Sequence, residues 1–170
     1  ARVSEGELVL LEAQDRALWD QAEIVEGIAL LDRALAQRRA GAYQIQAAIA
    51  ALHAQADSSA TTDWAQIAAL YGELYRRVPS PVVALNRAVA VAEAFGCEAG
   101  LYKLEALGAD TSMQRYYLYH AARADLLRRS ARYADALVAY RSALELCQNA
   151  VECTFLERRI AEVSALILDQ

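Results

Sequence analysis

The 170-residue sequence has few residues that interrupt helices. It contains two prolines and seven glycines, and its β-branched residues rarely occur in runs. Alanine makes up roughly a fifth of the chain, and alanine has the highest intrinsic helix propensity. This composition predicts a nearly all-helical domain and argues against sheet-rich folds.

The sequence also lacks an excess of positive charge. The net charge is −5 and the pI is about 5.1, so no basic face is available to neutralise phosphates, and direct binding of nucleic acid is not expected. Adjacent arginines at 38–39, 76–77 and 128–129 fall where helices should end. There they complement the negative end of the helix dipole.

No apolar run approaches the ~18–20 residues of a membrane span, and no basic-then-apolar leader opens the chain.

The three cysteines, Cys97, Cys147 and Cys153, are odd in number and lack CxxC spacing, which predicts reduced thiols in a cytoplasmic protein. The sequence begins at Ala1 without an initiator methionine, so we expect it to be a piece of a longer chain.

An internal repeat is the clearest pattern that is present. The phrase EGIALLDRALAQ (26–37) returns as YADALVAYRSALEL (133–146), with two looser copies between them whose successive starts lie 40, 33 and 36 residues apart. The aligned positions are Gly27/Leu31/Ala34, Ile67/Tyr71/Leu74, Gly100/Leu104/Leu107 and Ala136/Tyr140/Ala143. This period predicts a stacked array in which each unit buries its apolar face against its neighbours.

Apolar periodicity and turn residues predict eight helices in four hairpins, the last helix capping the array. The helices are expected at Asp20–Gln37, Tyr43–Ala56, Asp63–Val78, Val82–Ala94, Glu98–Leu107, Met113–Arg129, Tyr133–Gln148 and Val151–Asp169. The expected N-caps are Thr62 or Asp63 for the third helix and Thr111 or Ser112 for the sixth, and Gly96 should close the fourth. Residues 1–19 lie outside the repeat domain, residues 20–170, and the run ELVLLE (7–12) should be extended or irregular.

The last copy resembles the tetratricopeptide (TPR) pattern, with small Ala124 at a helix crossing and Tyr140 among the repeat positions. The resemblance implies a right-handed α-α superhelix whose first helices line a concave groove. Counting along those helices from Ala42, Val82 and Tyr117 gives a shared stripe of Gln46/Ala50/His53, Asn86/Ala90/Glu93 and Ala121/Asp125/Arg128.

The predicted partner-binding residues are Gln46, His53, Asn86, Arg87, Glu93, Asp125 and Arg128. Asn86 either faces a polar groove or satisfies a neighbouring backbone group, because an unpaired buried amide is costly. Arg87 either pairs with an acidic residue of the adjacent repeat or receives a carboxylate from a partner.

Catalytic motifs are missing from the sequence. His53 and His120, the two histidines, lie on different hairpins without metal-ligand spacing. There is no GxSxG elbow, no glycine-rich phosphate loop and no nucleophile beside a base. We therefore expect no metal, no cofactor and no enzyme activity.

Five segments identify a more specific resemblance. ELVLLEAQDRALWD (7–20), AYQIQAAIAALHAQA (42–56), TDWAQIAALY (62–71), PSPVVALNRAVAVAEAFG (79–96) and YHAARADLLRR (119–129) together resemble the C-terminal TPR-like extension of certain bacterial extracytoplasmic-function (ECF) RNA polymerase sigma factors. The resemblance implies regulation of promoter-directed transcription through contacts with the protein's own sigma regions, RNA polymerase or a regulatory protein. The sigma regions themselves have no counterpart in these residues.

The segment QDRALWD matches that family's pattern at Gln14, Asp15, Arg16, Trp19 and Asp20. One hypothesis is that these residues help dock the array onto the sigma regions. The alternative is that Trp19 and Asp20 only cover and cap the first helix.

Two other functions remain open at the level of sequence. A free-standing TPR adaptor would bind a peptide or protein in the groove, and a sensor would use the groove as a pocket for a small molecule. The mixed charge of Glu93, Asp125 and Arg128 argues against an acidic peptide tail, which requires convergent cations.

Overall fold

The computed structural model describes residues 3–4, 7–38 and 40–168. Most of these residues are helical, as the composition predicts. The α-helices in this part of the chain are α1 (Gln21–Ala36), α2 (Ala42–Gln55), α3 (Trp64–Arg77), α4 (Pro81–Phe95), α5 (Cys97–Leu107), α6 (Thr111–Gln114), α7 (Tyr117–Arg129), α8 (Tyr133–Leu146) and α9 (Ala150–Leu168). Two very short strands, β1 (Val3–Ser4) and β2 (Glu7–Leu8), pair antiparallel ahead of α1.

Local signals locate most helix ends to within two residues. Asp63 caps α3 by accepting a hydrogen bond from the Gln66 N–H at 2.9 Å. Pro81 is the first residue of α4, and Gly96 closes that helix at φ 96°, in the left-handed region that favours glycine. Asp169, the predicted end of the last helix, and Arg39 lie outside the described residues.

The prediction of one helix over Met113–Arg129 is wrong. The chain forms the single turn α6 and starts again as α7. The N-cap of α6 is Asp110 rather than Thr111 or Ser112, because its carboxylate accepts the Ser112 N–H at 2.8 Å. The bend is held by hydrogen bonds from Gln114 to the carbonyl of Gly108 and between the His120 ring and the carbonyl of Gln114.

The long helices pack in chain order. Each helix from α1 to α5 lies against the next, α5 packs on α7, and α7, α8 and α9 continue the series, with a further contact between α4 and α7. Short connections between packed neighbours are typical of helical hairpins. Repeat positions in the last three copies lie in the core, where Ile67, Leu104 and Tyr140 are at most 2% exposed.

Helix α4 joins two clusters of buried side chains. Leu85 and Ala88 belong to a cluster shared with α5, α7, α8 and α9, whereas Ala90 and Val91 pack with α2 and α3. A helix that is covered on two sides needs apolar residues around most of its circumference. This explains the nearly uninterrupted apolar sequence of α4.

Helix α5 approaches α4 closely at Gly100, where a side chain of α7 also packs. A Cβ atom placed there would lie 2.4 Å from Ala92 Cβ and 2.9 Å from Leu126 Cδ1. At the equivalent glycine of the first copy, Gly27, an added Cβ atom would have no neighbouring atom within 4 Å. The same repeat position is therefore a tight crossing in one copy and an open surface in another.

These two glycines give a matched stability test. We expect Gly100→Ala to lower the free energy of unfolding by about 2 kcal/mol, because the clash outweighs the helix propensity of alanine. Gly27→Ala should raise it by about 0.5–1 kcal/mol, since only propensity changes. Urea denaturation measures both, and equal effects of the two substitutions would contradict the close approach at Gly100.

Candidate interaction site

A segment ahead of α1 lies beside α9 at one end and reaches the end of α2 at the other. We call residues 7–16 the strap. It includes strand β2 and a short 3-10 helix at Leu11–Ala13, so the run 7–12 is partly extended, as expected. The strap contacts α9, shares a cavity lining with α4 and α7, and reaches the end of α2.

One end of the strap lies on α9. The Glu7 carboxylate accepts a hydrogen bond from the Arg158 guanidinium at 2.6 Å, and both side chains are substantially exposed to solvent. An ion pair this exposed contributes at most about 1 kcal/mol. At this end we expect the burial of apolar residues to contribute more than the ion pair, because β2 lies beside α9 and the leucines and valine that follow Glu7 line the same cavities as Phe155.

The other end of the strap is held by Arg16. Its Nη1 donates to the carbonyl oxygens of His53 and Ala56, each at 2.5 Å, and Nη2 lies 3.4 Å from the hydroxyl of Thr62. These carbonyls belong to the C-terminal turn of α2, where backbone acceptors lack partners within the helix. A guanidinium satisfies them and also complements the helix dipole. Arg16 thus joins the strap to α2 and to the loop after it.

The other residues of the predicted docking segment also have contacts within the chain. Gln14 donates to a strap carbonyl, Asp15 accepts the N–H two residues later, and Trp19 lies 5.1 Å from the Arg16 guanidinium. Asp20 caps α1 by accepting two backbone N–H groups at 2.9 and 3.0 Å. The cap made by Asp20 agrees with the alternative interpretation, in which Trp19 and Asp20 cover and cap the first helix. Docking of this segment onto the sigma regions stays a prediction.

Three residues of the predicted groove stripe form one ion network. Asp125 accepts a hydrogen bond from Arg128 at 2.7 Å, and Arg129 bonds to Glu93 on α4 while lying 3.7 Å from Asp125. The hydrogen bond to Glu93 raises the pKa of Arg129 above its ordinary value. The sequence predicts Arg129 only as a helix-end cation. The network links α4 to α7, and both of its arginines are already paired with carboxylates of this chain.

The remaining predicted residues are dispersed. Gln46 is exposed on α2, whereas the His53 ring packs edge-on against Trp64 with centroids 5.1 Å apart. Burial, followed by the Arg16 charge, lowers the pKa of His53. Asn86 is exposed at the cavity beneath the strap.

Arg87 and Ala90 lie on the side of α4 that packs against α3. The Arg87 guanidinium lies over Gly72 of α3, 3.3 Å from where a Cβ would stand. Ala90 is 1% exposed in the cluster formed with α2 and α3, so its predicted place on the groove stripe is wrong. The reason is that this face of α4 packs against α3.

A cavity of about 440 Å³ lies between the strap and helices α4, α7 and α9. The strap contributes Leu8–Leu11 and Gln14, and the helices contribute mostly apolar side chains. The strap's place in this site is not predicted by the sequence. Its signal is the apolar run LVLL just ahead of the first repeat, but periodicity does not reveal which helices such a run contacts.

Within the described residues, no three His, Cys, Asp or Glu side chains are grouped as metal ligands. Nor is any helix in that part of the chain both long enough and apolar enough to cross a membrane.

Comparisons with known proteins place the chain beside uncharacterized sequences. Residues 1–35, which include the strap and nearly all of α1, match a family of unknown function, DUF6596. An uncharacterized protein of Rhizobium meliloti (strain 1021) is 46% identical over 160 residues, which cover 94% of this chain. The chain spans 37% of that relative's length. No solved structure matches the chain.

The contact made by Arg16 has two measurable consequences. We expect Arg16→Met to lower the free energy of unfolding by about 2 kcal/mol, because charge-assisted hydrogen bonds are lost. It should also raise the pKa of His53, since a neighbouring cation is removed, and an NMR titration of the ring measures this shift. Arg33→Met, on the exposed face of α1, serves as the control. An unchanged stability together with an unchanged His53 pKa would contradict the contact.

Proposed function

We propose that this chain is a non-catalytic regulatory domain of an ECF-type sigma factor. It tunes promoter-directed transcription initiation through contacts with its own sigma regions, RNA polymerase or a regulatory protein. The acidic net charge of −5 fits protein contacts better than direct contact with DNA.

The proposal includes a TPR-like superhelix. Its support is the recurrence of the repeat at 40, 33 and 36 residues, together with the packing of each long helix on the next. The contact between α4 and α7 adds a link between successive first helices, as stacked hairpins require. The strap contacts α9 and the end of α2 and shares a cavity with α4 and α7, and under this proposal these four helices line the groove.

The observation that carries the proposal is the path of the strap. The strap begins beside α9 at Glu7 and ends at α2 with Arg16, immediately before α1. Any domain joined ahead of the strap would therefore be held next to the array rather than on a loose tether. The matched relative has room for such a domain, because this chain spans 37% of its length.

The strap also bears on the adaptor alternative. A free-standing TPR adaptor needs an open groove for its peptide. Here the chain's own residues Leu8–Leu11 line the space against α4, α7 and α9. A peptide would have to displace them, so we favour a contact surface outside the groove. Leu18, which is 75% exposed just after the strap, is a large apolar side chain available for such a contact.

The coding sequence upstream of Ala1 gives the first test, and we expect it to encode the two sigma regions. The second test is a pull-down of this chain with those regions and with core RNA polymerase. We expect Leu18→Ser to weaken the binding about tenfold, the effect of removing one buried leucine from an interface.

The matched control is Val138→Ser, because Val138 is a 62% exposed apolar residue on α8, far along the chain from the docking segment. It should bind like the unchanged protein. Absence of sigma regions upstream would refute the proposed function. No binding to either partner would refute the contacts with the sigma regions and polymerase and would favour the adaptor or the sensor.

A further inference from the structure

The strap does not fill the space beneath it. Leu8, Val9 and Leu10 are half-buried and Leu11 is 37% exposed, although all four line the cavity of about 440 Å³. Across the cavity lie apolar residues such as Val89 of α4 and Phe155 of α9. Apolar surfaces that face a gap lose the van der Waals contacts that close packing would provide.

The size and lining of this cavity are those of a small-molecule site. Such sites usually enclose about 300–1,000 Å³, with mostly apolar walls and a few polar groups that orient the ligand. The walls formed by the strap, α4, α7 and α9 meet this description. Asn86 supplies an exposed amide at the cavity, and Gln14 of the strap also lines it.

In the part of the chain that the structure describes, the cavity lining itself offers no cation that could pair with an anionic ligand, and the nearby guanidinium groups of Arg158 and Arg159 lie over the Phe155 ring. The lining includes the carboxylates of Asp125 and Glu152, and no lysine or arginine lines it among the described residues. Asp125 is paired with Arg128, and Glu152 accepts a hydrogen bond from the Tyr117 hydroxyl at 2.6 Å. Because both carboxylates already have hydrogen-bond partners, the cavity does not favour a cationic ligand either.

We propose that this cavity binds a small, uncharged, mainly apolar molecule that carries a hydroxyl or carbonyl group. The apolar body fills the gap between the strap and the helices, and the polar group reaches the amide of Asn86. A ligand that touches both the strap and the helices binds only while the strap lies beside them, so its binding also stabilises that arrangement. This proposal does not depend on the sigma-factor assignment.

The test uses the 170-residue chain and the neutral fluorophore N-phenylnaphthylamine. We expect saturable, single-site binding with an increase in fluorescence. Val89→Phe places a larger side chain in the cavity and should weaken binding about tenfold. Val138→Phe makes the same change at an exposed position of α8 and should leave binding unchanged.

A second cavity-filling variant, Ala121→Leu on α7, covers the case in which Val89→Phe does not fold, as judged by its thermal unfolding. Competition then tests the charge of the ligand: decanol should displace the fluorophore, and decanoate should do so about tenfold less well, because its charge would lose water without gaining a cation in the cavity lining. The proposal is overturned by non-saturable binding, by folded cavity-filling variants that bind as tightly as the control, or by decanoate competing as well as decanol.

Discussion

The described helices bury their apolar faces mainly against helices that are near them in sequence. Helix α4 shows the constraint most clearly, because Leu85 and Ala88 face one cluster while Ala90 and Val91 face the other. At Gly100 the same constraint brings backbones so close that no side chain fits. Helices α4, α7 and α9 also present apolar residues to a shared cavity, and the strap forms the other wall of that cavity.

The two ends of the strap are bound by interactions of different strength. Glu7 and Arg158 form an ion pair in solvent, whereas Arg16 bonds to carbonyl groups at the end of α2. The second contact is charge-assisted and satisfies acceptors that would otherwise lack a partner. The strap is therefore anchored mainly beside α1 and α2, and its hold on α9 depends on apolar contact. A molecule in the cavity would act on that weaker end.

Local chemistry explains which features are predictable from the sequence. Asp63, Pro81 and Gly96 mark helix ends through their own backbone preferences, so each can be located without knowledge of the fold. The bend between α6 and α7 is not predictable in this way, because it depends on hydrogen bonds that join Gln114 and His120 to carbonyls six residues away. The ion pair of Glu93 with Arg129 and the hydrogen bonds of Arg16 join residues that are 36 to 46 positions apart. The periodicity of the sequence does not predict which residues form such pairs.

Both the proposed function and the proposed ligand site require that the chain's own strap lies on the face shared by α2, α4, α7 and α9. Nuclear Overhauser effects between the methyl groups of Leu8 or Leu10 and the ring of Phe155 would measure this contact in solution. We expect such effects in the isolated chain, together with methyl shifts displaced by the ring. Strap leucines that show only sequential effects and random-coil shifts would mean that the strap does not lie on these helices.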